Sequence, residues 1–326
     1  MTIRRALFPV SIWAVASLAS PFTSLARTQE ETAPHPSATA SSDLPAPGAT
    51  ELQQAIDAHD YLTAEKILLA EIERDPHSPS AARLLAQAGT VYFLNHDYLN
   101  AAIAWKKSDV IAPLAPSLRF SLAMAYIGLS RPDWARPVLE SLAQQDPRNA
   151  LYPYWQGRLE YDLHWYQDAI HHFQHAIELN PSMARAYDNL GLCYFNSDQN
   201  ELAITSYNKA IELDRASQHP SPWPYINLAA AQQFLGQLPA AEANLHEALR
   251  LDPSLSSVHF QLASVLEDAS RLQDAVIELK EAIRLDPAYA DPHIVLARIY
   301  HKLGQQQAAH DEVKAYQQLH PATSKK

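Results

Sequence analysis

An all-α array of about eight helix–turn–helix repeats is predicted by three features of this sequence. Prolines recur on a fixed step, small and large apolar residues alternate at helical spacing between them, and glycine is scarce. Prolines that follow Asp or Asn punctuate the chain at Pro147, Pro181, Pro253 and Pro287, and Pro113 and Pro321 fall in the same series. The steps from 113 to 147 to 181, and from 253 to 287 to 321, are each 34 residues. Pro181 and Pro253 are 72 residues apart, two periods plus four, and the surplus falls in the Pro-rich stretch from Arg215 to Pro224, which reads as an enlarged turn. Pro76 precedes Pro113 by 37 residues, so the first repeat is slightly irregular. With 7 Gly against 23 Pro, the chain suits helices joined by short stiff turns better than a fold that cradles phosphates in glycine loops.

From the N-terminus, residues 1–26 read as a secretory signal peptide. Arg4 and Arg5 supply the charged start, Ala6 to Ala19 the apolar stretch, and Ser24-Leu25-Ala26 the small residues of a cleavage site after Ala26. The apolar stretch is shorter than the roughly 20 residues that span a bilayer. The mature chain is therefore expected to be periplasmic or secreted with no membrane span, a retained anchor being the alternative. Residues 27–49 are rich in Pro, Ser, Ala and Thr and are expected to form a disordered linker. Repeats are expected near 50–78, 82–115, 116–149, 150–183, 184–217, 222–255, 256–289 and 290–323, with a polar tail at 322–326.

Within 184–217, Tyr187, Leu190, Gly191 and Tyr194 mark one face of a first helix, Asn196 to Asn200 a turn, and Ala203, Tyr207 and Ala210 one face of a second helix. The same skeleton recurs at Gly157, Ala169, Phe173, Ala176 and Pro181, and at Gly89, Tyr92, Ala101, Trp105 and Pro113. Alanine holds one register position at 101, 135, 169, 203, 241 and 275. Small residues let two antiparallel helices approach closely, large ones fill the space between hairpins, and neighbours must stack because no hairpin can bury its apolar face alone. These residues resemble the tetratricopeptide repeat family, in its exported bacterial form, over 50–321. Three positions depart from its pattern: Arg215 replaces a proline, Leu52 a small residue and Tyr316 an alanine.

The resemblance implies a right-handed α-α superhelix, a solenoid whose first helices line a concave groove that binds peptide. The groove positions of the central repeats would be Phe120, Tyr154, Arg158, Tyr161, Arg185, Asp188, Asn189, Phe195, Trp223, Asn227 and Phe260. Rings give contact area at low entropic cost, and Asn amides can bond a peptide backbone. Some family members grip a partner's C-terminal carboxylate with Lys and Asn. Asn189 and Asn227 match the Asn places, but Asp188, Leu192, Ile226 and Ala230 stand where lysines would be needed, which argues against that grip.

Chemistry of other kinds finds little support. The net charge of −11 sets the chain against nucleic acid and anionic membranes. His171 and His175 lie one turn apart on a second helix, a spacing that can bind metal, yet no third ligand is in register and a solvated face is the simpler reading. Cys193, the single cysteine, reads as a small core hydrophobe rather than a nucleophile. No P-loop, G-x-S-x-G, G-x-G-x-x-G or H-E-x-x-H motif is present. The expectation is a non-catalytic scaffold for protein–protein interaction in the cell envelope, without cofactor or metal, binding extended segments or helices of other proteins. A glycan- or peptidoglycan-recognising accessory subunit is the alternative, and self-association into a homo-oligomer stays open.

Overall fold

The computed structural model describes residues 46–76 and 78–320. The signal segment 1–26, nearly all of the linker and the polar tail 322–326 lie outside the described residues. Among those described there are sixteen α-helices and no strand, paired into eight hairpins. They divide into two compact units that part between Asn180 and Pro181.

The first unit holds α1 (Ala46–Asp57), α2 (Tyr61–Ile72), α3 (Pro79–Leu94), α4 (Tyr98–Ile111), α5 (Pro116–Gly128), α6 (Pro132–Gln145), α7 (Leu151–Asp162) and α8 (Tyr166–Leu179). The second holds α9 (Ala184–Asn196), α10 (Asn200–Asp214), α11 (Trp223–Phe234), α12 (Leu238–Leu251), α13 (Ser256–Asp268), α14 (Leu272–Leu285), α15 (Asp291–Lys302) and α16 (Gln306–Leu319). The first helix begins at Ala46, inside the stretch read as linker. Pro47 sits in its opening turn, where a missing N–H leaves no helical bond unmade, so a Pro-rich sequence does not bar a helix start there.

Within each unit the two helices of a hairpin pack on one another, and the second helix of each hairpin packs on the first helix of the next. The alanine register is the point of closest approach. Ala101, Ala135, Ala169, Ala203, Ala241 and Ala275 are all fully buried, and Ala64 and Ala309 occupy the same place in the outer hairpins. A glycine on the first helix receives a ring from the second in three hairpins. A Cβ at Gly89 would stand 2.5 Å from the Trp105 ring, at Gly157 3.0 Å from Phe173, and at Gly191 2.5 Å from Tyr207. Trp105 is fixed further by its indole N–H, which donates to the Ala86 carbonyl at 2.9 Å. Cys193 is fully buried in the same layer.

All eight hairpin turns bend through one left-handed residue at the same register position: His59, His96, Ser130, His164, Asp198, Gly236, Ser270 and Gly304, with φ between 55° and 75°. Only two of the eight are glycine, the residue that adopts this conformation without steric cost. The residue after the bend caps the following helix in the first two hairpins: Asp60 accepts from the Thr63 N–H and Asp97 from the Asn100 N–H, both at 3.1 Å. The Thr63 hydroxyl, which donates to the Asp60 carboxylate at 2.7 Å, and then the Thr63 N–H hold that carboxyl below its ordinary pKa.

The Asp-Pro junctions work by a different bond. Asp252 accepts from the Ser254 N–H at 2.9 Å and Asp286 from the Ala288 N–H at 3.0 Å, so each aspartate folds the chain around its proline. Asp214 does the same across the enlarged turn, accepting from the Ser221 N–H, although Arg215 stands where proline is usual.

Candidate functional site

In the second unit the first helices of neighbouring hairpins touch one another, α9 against α11 and α11 against α13, more closely than the second helices do. A stack that is tighter on one side curves toward it, so α9, α11, α13 and α15 present a shared inner face. The inner positions near the C-terminal ends of these helices form one ladder. Phe195 of α9 meets Phe234 of α11 edge-on at 5.6 Å between ring centres. Gln233 of α11 donates to Ser264 of α13 at 2.9 Å and to Asp268 at 2.7 Å. Glu267 of α13 accepts from Arg298 and from Lys302 of α15, each at 2.7 Å. Toward the N-terminal ends, Asn227 donates to Asp188 at 3.0 Å, tying α11 to α9.

The ladder changes character along its length. At one end Phe234 is 57% exposed beside part-buried Phe195. At the other the Glu267 side chain is 10% exposed while Arg298 and Lys302 are 56% and 49% exposed. Burial pushes the Glu267 pKa up, but hydrogen bonds from Arg298 and Lys302 outweigh it and hold the carboxyl below its ordinary value.

The positions expected to line the groove divide by burial. In the first unit Phe120 and Tyr154 are buried. Phe120 packs on Tyr152 at 6.0 Å and Trp155 at 6.4 Å, and Tyr154 on Trp155 at 5.6 Å and Phe173 at 5.8 Å, so both are core rather than contact surface. Arg158 and Tyr161 are part-exposed, the guanidinium lying 5.8 Å from the ring centre. In the second unit Asp188 and Asn189 are buried; Asn189 donates to its own helix, to the Arg185 carbonyl at 2.7 Å. Arg185, Phe195, Trp223, Asn227 and Phe260 are part-exposed, and Phe260 leans on Tyr289 at 5.3 Å. Burial removes four of the eleven from the accessible face: Phe120 and Tyr154 pack among rings, Asp188 is held by Asn227, and Asn189 bonds its own helix.

Sequence reasoning missed Phe234, Gln233, Ser264, Glu267, Asp268, Arg298 and Lys302. The signal was present. The repeat step carried forward from Phe195, with the four-residue insertion, reaches Gln233 and Glu267; carried from Asn196 it reaches Phe234, Asp268 and Lys302.

His172, next to His171 on α8, ties that helix to α7. Glu160 receives His172 Nδ1 at 2.7 Å and has the Arg136 guanidinium at 3.7 Å, while Arg136 lies 4.6 Å over the Trp165 ring. The bond to Glu160 raises the His172 pKa above its ordinary value against the pull of burial. His171 and His175 are exposed. No group of three His, Cys, Asp or Glu side chains gathers as metal ligands among the described residues, and no described helix is long and apolar enough to cross a membrane.

Paired helices stacked by a repeating small-and-large register, with first helices of the second unit sharing one polar and aromatic face, define a helical-repeat protein. Tetratricopeptide repeat profiles match residues 182–254 and 226–290, so this stretch is built of tetratricopeptide repeats. Among curated relatives, a Protein STIP1 homolog of Dictyostelium discoideum is 34% identical over 116 residues, 35% of this chain and 19% of that protein. The Hsp70-Hsp90 organizing protein of Triticum aestivum is 28% identical over 126 residues, 39% of this chain and 21% of that protein. The chain thus spans about a fifth of these relatives. Among solved structures, a tetratricopeptide repeat protein from Parabacteroides merdae superposes with a TM-score of 0.62 at 16% identity, covering 83% of this chain and 98% of that one. PilW, a type IV pilus biogenesis factor, gives 0.59 at 23% identity over 64% of this chain and 95% of that one. The shared fold is the tetratricopeptide solenoid, generally a non-catalytic platform through which proteins bind other proteins.

Proposed function

We propose that this protein is a non-catalytic scaffold of the cell envelope that holds extended segments of partner proteins along the first-helix face of its second unit. The observation that carries this reading is the Phe195–Phe234 pair, with Phe234 more than half exposed beside the hydrogen-bonded and ion-paired groups of the same face. An aromatic ring left in water on a rigid, polar-rimmed surface is a contact anchor of the sort that dominates binding energy. The envelope address rests on the charged start, the apolar stretch and the Ser24-Leu25-Ala26 site.

The test is selection of twelve-residue peptides from a displayed random library on the full chain, followed by titration against Phe234→Ala. The expected result is a set of binders whose affinity falls about tenfold in the variant, as removal of one anchor should produce, with the melting temperature unchanged. Equal binding by the two proteins, or no enrichment at all, refutes the reading. Mass spectrometry of the protein from fractionated cells checks the address: a mature N-terminus at Arg27 is expected, and an intact Met1 start in the cytosolic fraction overturns it.

A further inference from the structure

The inner-face ladder of the second unit is polarised, and this constrains what it can hold. At the α9–α11 end two phenylalanine rings meet, Phe234 more than half exposed and Phe195 part-exposed. At the α13–α15 end, one nearly buried carboxylate faces two half-exposed cations. Arg298 spends Nε and Nη2 on Glu267 at 3.2 and 2.7 Å, and Lys302 spends one of its three donors. The acid is saturated, whereas the cations together keep unused donors and one more charge than Glu267 itself balances, the adjacent Asp268 being bonded to a neutral amide. Between the two ends, the Asp268 carboxylate is engaged by Gln233.

We propose that the segment bound here is extended and carries a large apolar side chain, seated on Phe195 and Phe234, and an acidic side chain about six residues away that docks on Arg298 and Lys302. The inference rests on the function proposed above and adds the chemistry of the partner. The spacing follows from the stack. Adjacent packed helices lie roughly 8–10 Å apart, so the two steps from α11 to α15 cover roughly 16–20 Å, and an extended chain that advances about 3.3–3.6 Å per residue crosses them in about five to six residues. The chain's overall charge of −11 does not oppose this. Exposed charges more than about 8 Å away are largely screened at physiological salt, so the local pair of cations decides.

The experiment uses the same peptide selection on the full chain. Enriched peptides are expected to pair Trp, Phe or Leu with Asp or Glu five to seven residues away, in either chain direction. Replacing that acid with its amide should weaken binding about two- to fivefold at physiological salt, the range of an exposed ion pair, and the difference should shrink at high salt. On Lys302→Glu, where Arg298 still holds Glu267, the acidic preference should disappear. The salt series needs no variant and stands whether or not Lys302→Glu folds as the parent does. Peptides that bind through Phe234 without preference for an acid, or with a preference for Lys or Arg, overturn this proposal and leave the scaffold reading intact. Failure of any peptide to bind overturns both.

Discussion

Gly191→Ala tests the packing rule on which the array depends, because two well-measured effects oppose each other at this site. On an open helix surface the change would stabilise by about 0.8–1.0 kcal/mol, since alanine loses less backbone entropy. Here the new methyl would stand 2.5 Å from Cε1, 2.7 Å from Cδ1 and 3.0 Å from Cζ of Tyr207. Carbon atoms rest at about 3.5–4.0 Å, so the ring must withdraw by about 1 Å. Tyr207 is 1% exposed and has nowhere open to go. Overpacking of this kind costs about 1–3 kcal/mol, leaving a net loss of about 0–2 kcal/mol once the helix gain is set against it. The equivalent positions of the next two hairpins hold Ala229 with Leu245 and Ala263 with Leu279, all buried, so the second change Tyr207→Leu should make room for the methyl. The assay is urea unfolding of the two single variants and the double variant, followed by helix signal, with unchanged slopes as the condition for comparing midpoints. The double variant is expected to be more stable than the sum of the single effects by about 1–2 kcal/mol. A stabilisation of about 1 kcal/mol by Gly191→Ala alone would mean that the ring is not held where this packing puts it.

Other outcomes follow from the turns, the alanine register and the paired charges. Ser270→Gly should raise stability by about 1 kcal/mol by relieving a left-handed serine, and Gly236→Ala should lower it by a similar amount; thermal melting decides both. Ala203→Trp should destabilise by about 1–3 kcal/mol, as a fully buried contact between paired helices has no space for an indole. The His172–Glu160 bond raises the folded-state pKa of His172, so its contribution is fully present below about pH 6.5, the unfolded value, and fades as pH rises through the folded value. The melting-temperature gap between the parent and His172→Gln should therefore be wider at pH 5.5 than at pH 8.5. Glu267 titrates the other way: its folded pKa is depressed, so its stabilisation holds above about pH 4.5 and is lost on acidification through the folded value. Glu267→Gln should flatten the acid limb of the stability profile.

The repeat register was readable because it is written in backbone chemistry and volume. Ala203 and its equivalents tolerate nothing larger, and Pro147, Pro253 and Pro287 cannot continue a helix, so these constraints recur in the sequence as they do in space. The turn residues were less legible. His59, His96 and His164 adopt a conformation that glycine signals most clearly, and histidine, although enriched there among other residues, occurs in too many other places to mark a turn by itself. The inner face was legible in part. Arg185, Phe195, Trp223, Asn227 and Phe260 were expected on a groove from the family resemblance and are part-exposed, but whether a first-helix side chain reaches solvent depends on packing that the register does not spell out. Phe120 was lost to the core against Tyr152 and Trp155 of the next hairpin, and Tyr154 against Phe173 of its own. Arg298 and Lys302 escaped notice because an exposed basic residue in a terminal repeat looks like ordinary surface until its distance to Glu267 is known.

The enlarged turn after α10 has a practical reach. Arg215 to His219 are five consecutive exposed residues, while the Asp214 carboxylate clasps the Ser221 amide on the far side and keeps the next hairpin in phase. Because closing a longer loop grows only slowly more costly with length, foreign sequence spliced between Ala216 and His219 should leave the flanking hairpins standing. The protein thus carries a natural grafting point for an epitope, a fluorophore or a cleavage sequence, one that reports on the second unit from within.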